Sequence, residues 1–310
     1  MFFLVGPTAA GKSEIAVEAA LRCDAEIVGA DAFQVYEGLD LLTAKPGADS
    51  RARVRHHLIG EIPLGEKFDA ARYRELALDR VREIEGRGKR ALVVGGTGLY
   101  VWALTHGLSE TLPGGNAELR RELEALTLAQ WQERYAALDP RGMERIDRQN
   151  RRRLVRAIEV SLLAEAPFSS LRADWSGQRR ESGAVLAGVV LELERKELYR
   201  RIDERVRRMF AQGVIEEVRT AAEAGPTAAQ AIGYAEIRAL LRGEISVEQC
   251  VTAIQQKTRR YAKRQLTWLR RENIFFKINL TNTPKSEVAE VIARRIEAVA
   301  GSVNLIPGDV

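Results

Sequence analysis

The sequence predicts an α/β fold in which a parallel sheet is covered by helices on both faces and is interrupted by a mostly helical insertion domain. Short apolar segments alternate with segments of helical periodicity, which is the pattern of a parallel sheet. A glycine-rich loop joins the first apolar segment directly to the first helical one. In the middle of the chain only helical periodicity is found, in segments rich in Arg and Glu.

The first third of the chain supplies three strands and three helices. Each predicted strand is a short apolar segment, and each predicted helix has apolar residues at helical spacing. The strands are expected at 2–5, 25–30 and 91–94, and the helices at about 13–22, 69–88 and 99–105.

The character of the sequence changes near residue 113 and changes back near residue 184. Between these points we expect helices only, whereas the segment that follows is apolar enough for the interior of a sheet. The later elements are a strand at 184–193, helices within 196–272, a late strand at 274–280 and a final helix at 285–300. We therefore expect a core of residues 1–112 and 184–310 and a helical insertion domain of residues 113–183.

Composition and charge exclude several classes of protein. The 310 residues suffice for a substantial core, and 45% hydrophobic and 29% charged residues are typical of a globular protein. The two cysteines, Cys23 and Cys250, are too few for a disulfide framework or a cysteine zinc site, so a cytoplasmic protein is expected. No signal peptide or membrane-spanning run is visible, so no membrane partner is expected. The net charge of +5 indicates a polyanionic partner.

Residues 6–13, GPTAAGKS, have the spacing GxxxxGK[ST] of a P-loop. The glycines let backbone N–H groups curve around an anion, and the following helix adds its positive N-terminal dipole. The Lys12 ammonium is expected to reach phosphate oxygens, and the Ser13 hydroxyl is expected to bind Mg²⁺. A phosphorylated small molecule is therefore expected to bind to Gly6, Pro7, Thr8, Ala9, Ala10, Gly11, Lys12 and Ser13.

The ends of the predicted strands distinguish this P-loop from that of an NTPase. A P-loop NTPase places an acid after a buried strand to hold Mg²⁺, but strand 91–94 runs into Gly95, Gly96 and Thr97. An acid does follow the second strand, at Asp31. Because the carboxyl ends of parallel strands meet at one edge, the P-loop, Asp31 and Thr97 are expected to face one crevice. Taken alone, Asp31 is equally compatible with a helix N-cap.

Two cationic segments favour a nucleic-acid partner. Residues 257–271 contain seven Lys or Arg and no acid, with Tyr261 and Trp268 interleaved. Residues 145–156 contain six Arg and a single Asp. Solvated helical faces normally mix both signs, whereas single-sign segments fit a phosphate backbone better.

Two adjacent histidines, His56 and His57, raise the question of a metal site. Metal sites in proteins draw their ligands from recognisable spacings of His, Cys and acidic residues. No third ligand lies at such a spacing here, so a structural role is the better interpretation.

Together these motifs resemble the tRNA dimethylallyltransferases, also called tRNA isopentenyltransferases. The resemblance covers nearly the whole chain and keeps the motifs in order. GPTAAGKS at 6–13 is similar to the family's GPTASGK[ST], and DAFQVY at 31–36 is similar to its DSxQVY. The other matches are TAKP at 43–46, HHL at 56–58, VGGTGLY at 94–100, NRRRLVRAIE at 150–159, AIGY at 231–234 and YAKRQLTW at 261–268.

The resemblance implies transfer of a dimethylallyl group from dimethylallyl diphosphate to N6 of the adenosine directly 3′ of the tRNA anticodon. Residues 6–13 then hold the diphosphate that leaves, with Mg²⁺ as cofactor. No phosphoryl group is transferred, which explains the missing NTPase acid. The implied catalytic residues are Asp31, Thr8, Lys12, Thr97 and Arg120.

Each implied catalytic residue has a chemical role. Asp31 accepts the proton of the attacking amino group, since an adenine amine is a poor nucleophile. Lys12, Arg120 and Mg²⁺ stabilise the negative charge that develops on the diphosphate. Thr8 and Thr97 orient the two reactants.

The resemblance also implies that the partner is the anticodon stem-loop of tRNA. The target base must leave its stack to reach a pocket beside the sheet. Phosphate contacts from the insertion and the cationic segments set affinity, while splayed bases give sequence choice. The implied tRNA-binding residues are Asp31, Ala32, Phe33, Gln34, Thr97, Arg120, Arg152, Arg153, Leu154, Val155, Arg156, Ala229, Gln230, Ala231, Ile232, Gly233, Tyr234, Lys263, Arg264, Gln265 and Trp268.

The sequence departs from the family pattern in two respects. Ala32 replaces the usual Ser after the acid, which leaves the role of that hydroxyl open. Two lone cysteines could not build the C-terminal zinc finger of eukaryotic relatives, which indicates a bacterial-type enzyme. Nothing in the sequence requires a dimer, so a monomer is expected.

Two other functions share the P-loop and the parallel sheet. A small-molecule kinase would bind the nucleotide ATP as its phosphoryl donor, but it does not need the cationic helices. An RNA-binding P-loop ATPase would use those helices, but it needs an acid at a strand end close to Mg²⁺.

Overall fold

A computed structural model describes residues 1–108, 112–171, 187–272, 274–281 and 283–303 of the chain. Within these ranges six strands form a single sheet, and the α/β class predicted from the sequence is confirmed. The strands are β1 Phe2–Val5, β2 Ala25–Ala30, β3 His56–His57, β4 Arg90–Gly95, β5 Ala187–Glu192 and β6 Phe276–Asn279.

The helices of the described residues fall into two groups that are separated by the middle of the chain. Those before the insertion are α1 Lys12–Arg22, α2 Asp40–Thr43, α3 Ala48–Arg53, α4 Ala70–Gly86 and α5 Gly98–Thr105. Those of the insertion are α6 Ala117–Glu124, α7 Leu128–Leu138, α8 Pro140–Arg145, α9 Arg151–Leu163 and α10 Phe168–Leu171. Those after it are α11 Arg195–Ala211, α12 Val214–Thr220, α13 Tyr234–Leu241, α14 Val247–Arg271 and α15 Lys285–Val303.

All strands of the sheet are parallel and lie in the order β3-β2-β4-β1-β5-β6. β1 is central, since Phe2 pairs with Leu92 of β4 on one side and with Ala187 of β5 on the other. The carboxyl ends of all strands therefore meet at one edge, which is where open α/β sheets bind ligands. The loop that follows β1 leaves the sheet in the middle of this edge.

Both faces of the sheet are buried beneath helices, as predicted. Alternate residues of a strand point to opposite faces. Phe3 and Val5 belong to a core with α4, α5 and α14, whereas Phe2 and Leu4 belong to a second core with α1 and α15. The helix α11 contributes to both cores through Leu198 on one side and residues near its end on the other.

The expected elements are observed to within a few residues, whereas β3 and the short helices α2 and α3 were not expected. The expected strand at 184–193 is observed as β5, and its first three positions, 184–186, lie outside the described residues. β3 was not expected, because two residues are too few to show a periodicity. It pairs with Ile27 and Val28 and places the histidine pair at the edge of the sheet.

The chain divides into two compact units, one of Met1–Thr105 with Gly183–Val310 and one of His106–Ser182. In the second unit the described residues are helical, as the sequence predicted for this region, and the expected helices beyond residue 171 lie outside them. The second unit has its own apolar core, which contains Leu123, Trp131, Tyr135, Leu154, Ala157 and Ile158.

None of the helices in the described part of the chain combines the length and the apolar character that a membrane crossing needs.

Candidate active site

The P-loop is the connection between β1 and α1. Gly11, at the N-cap of α1, has φ +90°, a left-handed conformation that favours glycine. The turn before it is closed by a hydrogen bond from the Ala10 N–H to the Pro7 carbonyl (3.3 Å). Because the first N–H groups of a helix have no intrahelical acceptor, the start of α1 is a site for an anion.

The Lys12 side chain folds back over the loop that carries it. Its ammonium donates to the carbonyl oxygens of Gly6 (3.0 Å) and Pro7 (2.8 Å). Burial lowers the pKa of Lys12 to about 8, against the opposing effect of the Asp31 carboxylate and with a smaller contribution from Arg205. A bound anion favours the charged ammonium.

Asp31 follows β2 and forms a turn rather than capping a helix. Its Oδ1 accepts hydrogen bonds from the N–H groups of Phe33 (3.0 Å) and Gln34 (3.3 Å). No helix begins there, since the next one is α2 at Asp40. The turn fixes the carboxylate through one oxygen and leaves Oδ2 available to a ligand.

Thr97 fixes the same turn from the end of β4. Its hydroxyl accepts a hydrogen bond from the Ala32 N–H (3.0 Å). Burial raises the pKa of Tyr261 on α14, and the Thr97 side chain has a smaller, opposing effect on that pKa. Thr97 is not one of the residues that line the cavity described next, so the structure shows it as a support of the Asp31 turn.

A cavity of about 490 Å³ lies at the carboxyl edge of the sheet. It is lined by Thr8, Lys12, Ser13 and Asp31, which the sequence analysis had placed in one crevice. Its volume is in the range of pockets for small molecules. The P-loop and the carboxylate that follows β2 therefore face the same ligand space.

Five cations that the sequence analysis did not single out also line this cavity. They are Arg200, Arg201, Arg205, Arg208 and Lys285. Arg201, Arg205 and Arg208 recur at helical spacing on α11, which places them on one face of the helix. This spacing was their only distinguishing feature in the sequence, and it is not specific in a chain with 48 Lys and Arg.

The cations at the cavity differ in how their charge is balanced. Lys285 is paired with Glu14, and Arg201 is paired with Glu197 (2.7 Å). The Nε of Arg205, by contrast, is buried and has no hydrogen-bond partner among the described residues. Burial lowers the pKa of Arg205, while Asp31 opposes this change. A buried guanidinium nitrogen without an acceptor is costly, so an anionic ligand at this point is favoured.

A smaller cavity of about 50 Å³ adjoins the same residues. Thr8, Asp31, Thr43 and Arg205 line both cavities. The other walls of the smaller one are largely apolar and are formed by Phe33, Leu42, Val206, Met209, Ala231, Ile232, Ile254, Thr258 and Tyr261. Predicted tRNA-binding residues of two segments, Phe33 and Ala231 with Ile232, are thus brought next to Asp31.

Gln34 holds the wall of the larger cavity. Its side-chain amide donates to the carbonyls of Thr43 (3.1 Å) and Ala44 (3.0 Å), at the end of α2. The start of α2 is fixed as well, because the Glu217 carboxylate accepts hydrogen bonds from the N–H groups of Leu41 (2.7 Å) and Leu42 (2.9 Å).

The predicted tRNA segments after β5 differ in exposure. In 229–234, Ala231 is buried and Gly233, at φ +101°, starts α13. In 263–268, Lys263 and Arg264 are exposed, Trp268 is half-buried against Gly98, and Gln265 is buried. The two cations can contact a partner as they stand, whereas Gln265 faces the interior.

Arg120 lies in the second unit, where a buried carboxylate holds it. Its Nε and Nη2 donate to Glu159 (2.8 and 3.0 Å), and the Arg156 Nη1 donates to the same group (2.6 Å). Glu159 also accepts from the Asn116 N–H (2.8 Å). Burial raises the pKa of Glu159, but the hydrogen bonds from Arg120 and Arg156 outweigh it and the pKa is lowered overall.

The other predicted tRNA residues of the second unit lie at the start of α9. Arg152 and Arg153 are exposed, and Val155 is partly buried. Leu154 is fully buried in the core of the unit, so its side chain packs against its neighbours rather than facing solvent. The exposed arginines follow the Asn150 N-cap, which accepts from the Arg153 N–H (3.2 Å).

His57 has a structural environment. Its Nε2 lies 2.7 Å from Glu26, and Glu26 also accepts from Arg87 (2.7 Å). No group of three or more His, Cys, Asp and Glu able to hold a metal occurs among the described residues.

Mg²⁺ nevertheless fits the P-loop cavity. The hydroxyls of Thr8 and Ser13 and the Asp31 carboxylate all line it, and these are the oxygen donors that Mg²⁺ prefers. Mg²⁺ is commonly held by one or two protein groups together with substrate phosphates and water, so a dedicated cluster of acids is not required.

The fold and the site define a P-loop α/β protein whose loop opens into a cationic cavity. Comparison with known proteins narrows this class. Residues 34–272 match a family model described as IPP transferase. The chain is 44% identical over 274 residues to the tRNA dimethylallyltransferase 1 of Citrifermentans bemidjiense, covering 87% of this chain and 89% of that one. It is 43% identical over 304 residues to the tRNA dimethylallyltransferase of Anaeromyxobacter dehalogenans, covering 96% and 99%. The chain therefore belongs to the IPP transferase family.

Solved structures agree with this assignment. The full-length tRNA isopentenylpyrophosphate transferase of Bacillus halodurans is 32% identical, with a TM-score of 0.69 and coverage of 98% of both chains. A eukaryotic dimethylallyltransferase acting on tRNA superposes with a TM-score of 0.76 at 22% identity, which shows the shared fold.

Proposed function

We propose that this protein transfers a dimethylallyl group from dimethylallyl diphosphate to N6 of the adenosine 3′ of the tRNA anticodon and releases diphosphate. The observation that carries the proposal is one cavity in which an anion-binding loop and a carboxylate meet. A diphosphate needs the first feature, and an amine that must lose a proton needs the second. The relatives named above carry the same activity in their names.

The leaving group is stabilised by cations that surround the P-loop. Cleavage of the allylic C–O bond gives a delocalised cation and a diphosphate anion. Lys12, which the loop carbonyls hold in the cavity, and Arg205, whose Nε is buried without an acceptor, offer charge to that anion. By resemblance, Arg120 adds to this charge. Mg²⁺ bound at Ser13 would neutralise further charge on the diphosphate.

Asp31 is the proposed general base. The turn uses its Oδ1, and Oδ2 accepts no hydrogen bond from the described residues, so Oδ2 can accept the proton from the adenine amino group as the new N–C bond forms. Thr97 holds the turn in place through the Ala32 N–H, and Thr8 of the P-loop lines the same cavity as Asp31. Positioning of the two reactants contributes much of the rate.

The RNA side of the proposal rests on exposed cations and an apolar pocket. Lys263 and Arg264 on α14 and Arg152 and Arg153 on α9 are exposed and suited to phosphate contacts. The largely apolar residues beside Asp31, among them Phe33 and Ile232, offer a surface against which a base that has left its stack can pack. The cavity is built by one chain, so a monomer suffices.

The direct test is to incubate the protein with dimethylallyl diphosphate, Mg²⁺ and an anticodon stem-loop that carries three consecutive adenosines at the target. We expect a mass increment of one dimethylallyl group on the RNA. Folded protein that gives no increment would overturn the proposal. ATP turnover with a small acceptor would favour a kinase, and RNA-stimulated ATP hydrolysis would favour an ATPase.

The role of Asp31 is tested by two substitutions. Asp31→Asn keeps the oxygen that closes the turn but cannot accept a proton, whereas Asp31→Ala removes both functions. We expect both variants to lower the rate of the chemical step by about 10²–10⁴ while RNA affinity stays within about twofold. If only Asp31→Ala is slow, Asp31 acts by closing the turn and is not the general base.

A further inference from the structure

Gln265 is a buried amide in the longest helix of the protein. It lies on α14, in a stretch otherwise noted for its cations, and only 5% of its surface is exposed. It also lines the larger cavity. Burying a primary amide is unfavourable unless its donors and acceptor are satisfied, so its partners indicate what the residue does.

Those partners are the two loops that form the active site. The Gln265 Oε1 accepts a hydrogen bond from the Thr8 N–H in the P-loop (2.8 Å). Its Nε2 donates to the Gly96 carbonyl after β4 (2.8 Å). The orientation of the amide is fixed by these partners, because an N–H needs an acceptor and a carbonyl needs a donor.

The packing around this amide leaves little room for adjustment. A Cβ added to Gly96 would lie 2.3 Å from the Gln265 Nε2 and 2.7 Å from the Gly6 carbonyl. The P-loop, the loop after β4 and the amide are thus in direct contact at Gly96. A displacement of any one of them must move the other two.

Gln265 also belongs to the network that holds the general base. Gly96, whose carbonyl accepts from Gln265, directly precedes Thr97 in the chain. Thr97 in turn holds the Asp31 turn. The P-loop is therefore linked through the Gln265 amide and the adjacent residues Gly96 and Thr97 to the turn that carries Asp31.

We propose that Gln265 is a positioning residue that sets the distance between the diphosphate loop and the loops that carry Thr97 and Asp31. Its amide links the donor side of the reaction to the acceptor side by one hydrogen bond to each. The expected effect of Gln265 on the reaction rate rests on the proposed prenyl transfer. Its expected effect on diphosphate binding requires only that the P-loop binds diphosphate. The residue acts through Thr8 and Gly96, not by contact with the RNA.

The test compares Gln265→Met with Gln255→Met in the full-length protein. Methionine matches the length of glutamine and removes the amide. Gln255 lies on the same helix, is partly buried and donates to the Asp203 carbonyl (3.3 Å), and it does not line the cavity, so its variant controls for loss of a hydrogen-bonded amide on α14. The readouts are binding of inorganic diphosphate with Mg²⁺ by calorimetry, kcat and KM for prenyl transfer, and binding of the stem-loop.

We expect Gln265→Met to weaken diphosphate binding by about tenfold and to lower kcat by a similar factor, since two hydrogen bonds are lost. Stem-loop affinity should stay within twofold, and Gln255→Met should match the unchanged protein in all three measurements. The proposal is overturned if diphosphate binding is unaffected, or if stem-loop affinity falls while diphosphate binding does not. The latter result would assign Gln265 to RNA recognition.

A second variant tests whether the effect comes from this contact or from a general loss of folding. Gly96→Ala places a Cβ against the Gln265 Nε2 and displaces the same amide, so it should weaken diphosphate binding as well. In a double-mutant cycle with Gln265→Met the two effects on diphosphate binding should be strongly non-additive. Additive effects would contradict a shared contact. If wild-type protein binds diphosphate but transfers no prenyl group, the proposed function fails while the binding arm still decides the role of Gln265.

Discussion

At the scale of single residues, the cavity holds two cations whose surroundings disfavour their charge. Burial lowers the pKa of both Lys12 and Arg205, and the Asp31 carboxylate opposes that change in each case. The Arg205 Nε is buried without an acceptor among the described residues. In the free protein these buried positive charges are unfavourable. A bound anion favours the charged form of both groups, so the site is suited to an anionic ligand.

The first prediction concerns the pH dependence of diphosphate binding. In the free protein the pKa of Lys12 is about 8, and a bound anion raises it. Lys12 is charged in both states well below pH 8, so its contribution to affinity is complete there. As pH rises through about 8 the free protein loses the proton, and we expect affinity for diphosphate to fall, measured by calorimetry.

Lys12→Arg provides the control for this titration. A guanidinium stays protonated throughout the range, so the decline of affinity above pH 8 should disappear even if the affinity itself is lower. A decline of the same size in Lys12→Arg would show that another group is responsible.

The second prediction concerns Glu159, which holds Arg120 and Arg156 from within the second unit. Glu159→Gln removes the negative charge and replaces one of the two accepting oxygens by an NH₂ donor, so the hydrogen bonds from the two guanidinium groups are weakened by roughly 1 kcal/mol each or lost. We expect kcat for prenyl transfer to fall about tenfold, because Arg120 is then held less firmly. Steady-state kinetics on the stem-loop substrate measures this change.

Asp139→Asn is a matched control in the same unit. Asp139 is a buried carboxylate that accepts from Tyr135 (2.9 Å) and Gly142 (2.8 Å) but contacts no arginine assigned to the site. Both variants should lower the melting temperature, whereas only Glu159→Gln should lower kcat. Equal loss of kcat in both would indicate that stability alone is affected.

The residues that could be predicted from the sequence are those with a pattern of their own. Lys12 follows from the glycine spacing, and Asp31 follows from its place after an apolar strand. Arg205 could not be distinguished among the many arginines of the chain. Gln265 is neutral and was grouped with its cationic neighbours, because its contacts lie 169 and 257 positions away in the sequence.

At the scale of secondary-structure elements, α9 presents its cations in two ways. Arg156 is bonded to Glu159 and to the Pro113 carbonyl (2.7 Å), whereas Arg152 and Arg153 are exposed. One helix thus supplies both an internal support and a charged surface.

The third prediction follows from the exposed part of α9. Replacing both Arg152 and Arg153 by alanine should weaken stem-loop binding and reduce the slope of log affinity against log salt by about one to two, because fewer counterions are released. Filter binding at several salt concentrations measures the slope.

Arg82 and Arg294 serve as the control pair. Each is exposed and paired with an acid of its own helix, Asp79 and Glu290 respectively, and their removal changes the net charge by the same amount. Their double alanine variant should keep the wild-type slope. A similar loss of slope in both variants would mean that total charge, not the location on α9, governs binding.

Elements were predictable where they are long enough to show a period. The strands β1, β2 and β4 and the helices α1 and α4 were expected close to their observed positions. β3 was not, since His56 and His57 form a strand only by pairing with β2. The short helix α2 likewise depends on Glu217 from α12, a contact that no local pattern reveals.

At the scale of the whole molecule, ligand binding is coupled to folding through the centre of the sheet. The P-loop follows the central strand, so an anion that binds it stabilises the unit that contains the sheet. By mass action, diphosphate at a hundred times its dissociation constant adds about 2.7 kcal/mol to the free energy of unfolding.

The fourth prediction is a rise in melting temperature when diphosphate and Mg²⁺ are added to the full-length protein. Thermal unfolding followed by circular dichroism measures it. Lys12→Met should lose most of the shift, because it removes the ammonium held against the Gly6 and Pro7 carbonyls. A shift of wild-type size in this variant would argue that the stabilising anion binds elsewhere.

The position of β1 between β4 and β5 has a consequence for synthesis on the ribosome. β4 precedes the second unit in the chain and β5 follows it, so one long side of β1 has no partner until that whole unit has been made. Gly6, the first residue of the P-loop, packs closely against β5, since a Cβ there would lie 3.2 Å from Leu191. An apolar strand with an open edge is prone to aggregate. We therefore expect the nascent chain to be most vulnerable while the second unit is being translated, and to acquire its anion site only after β5 has emerged.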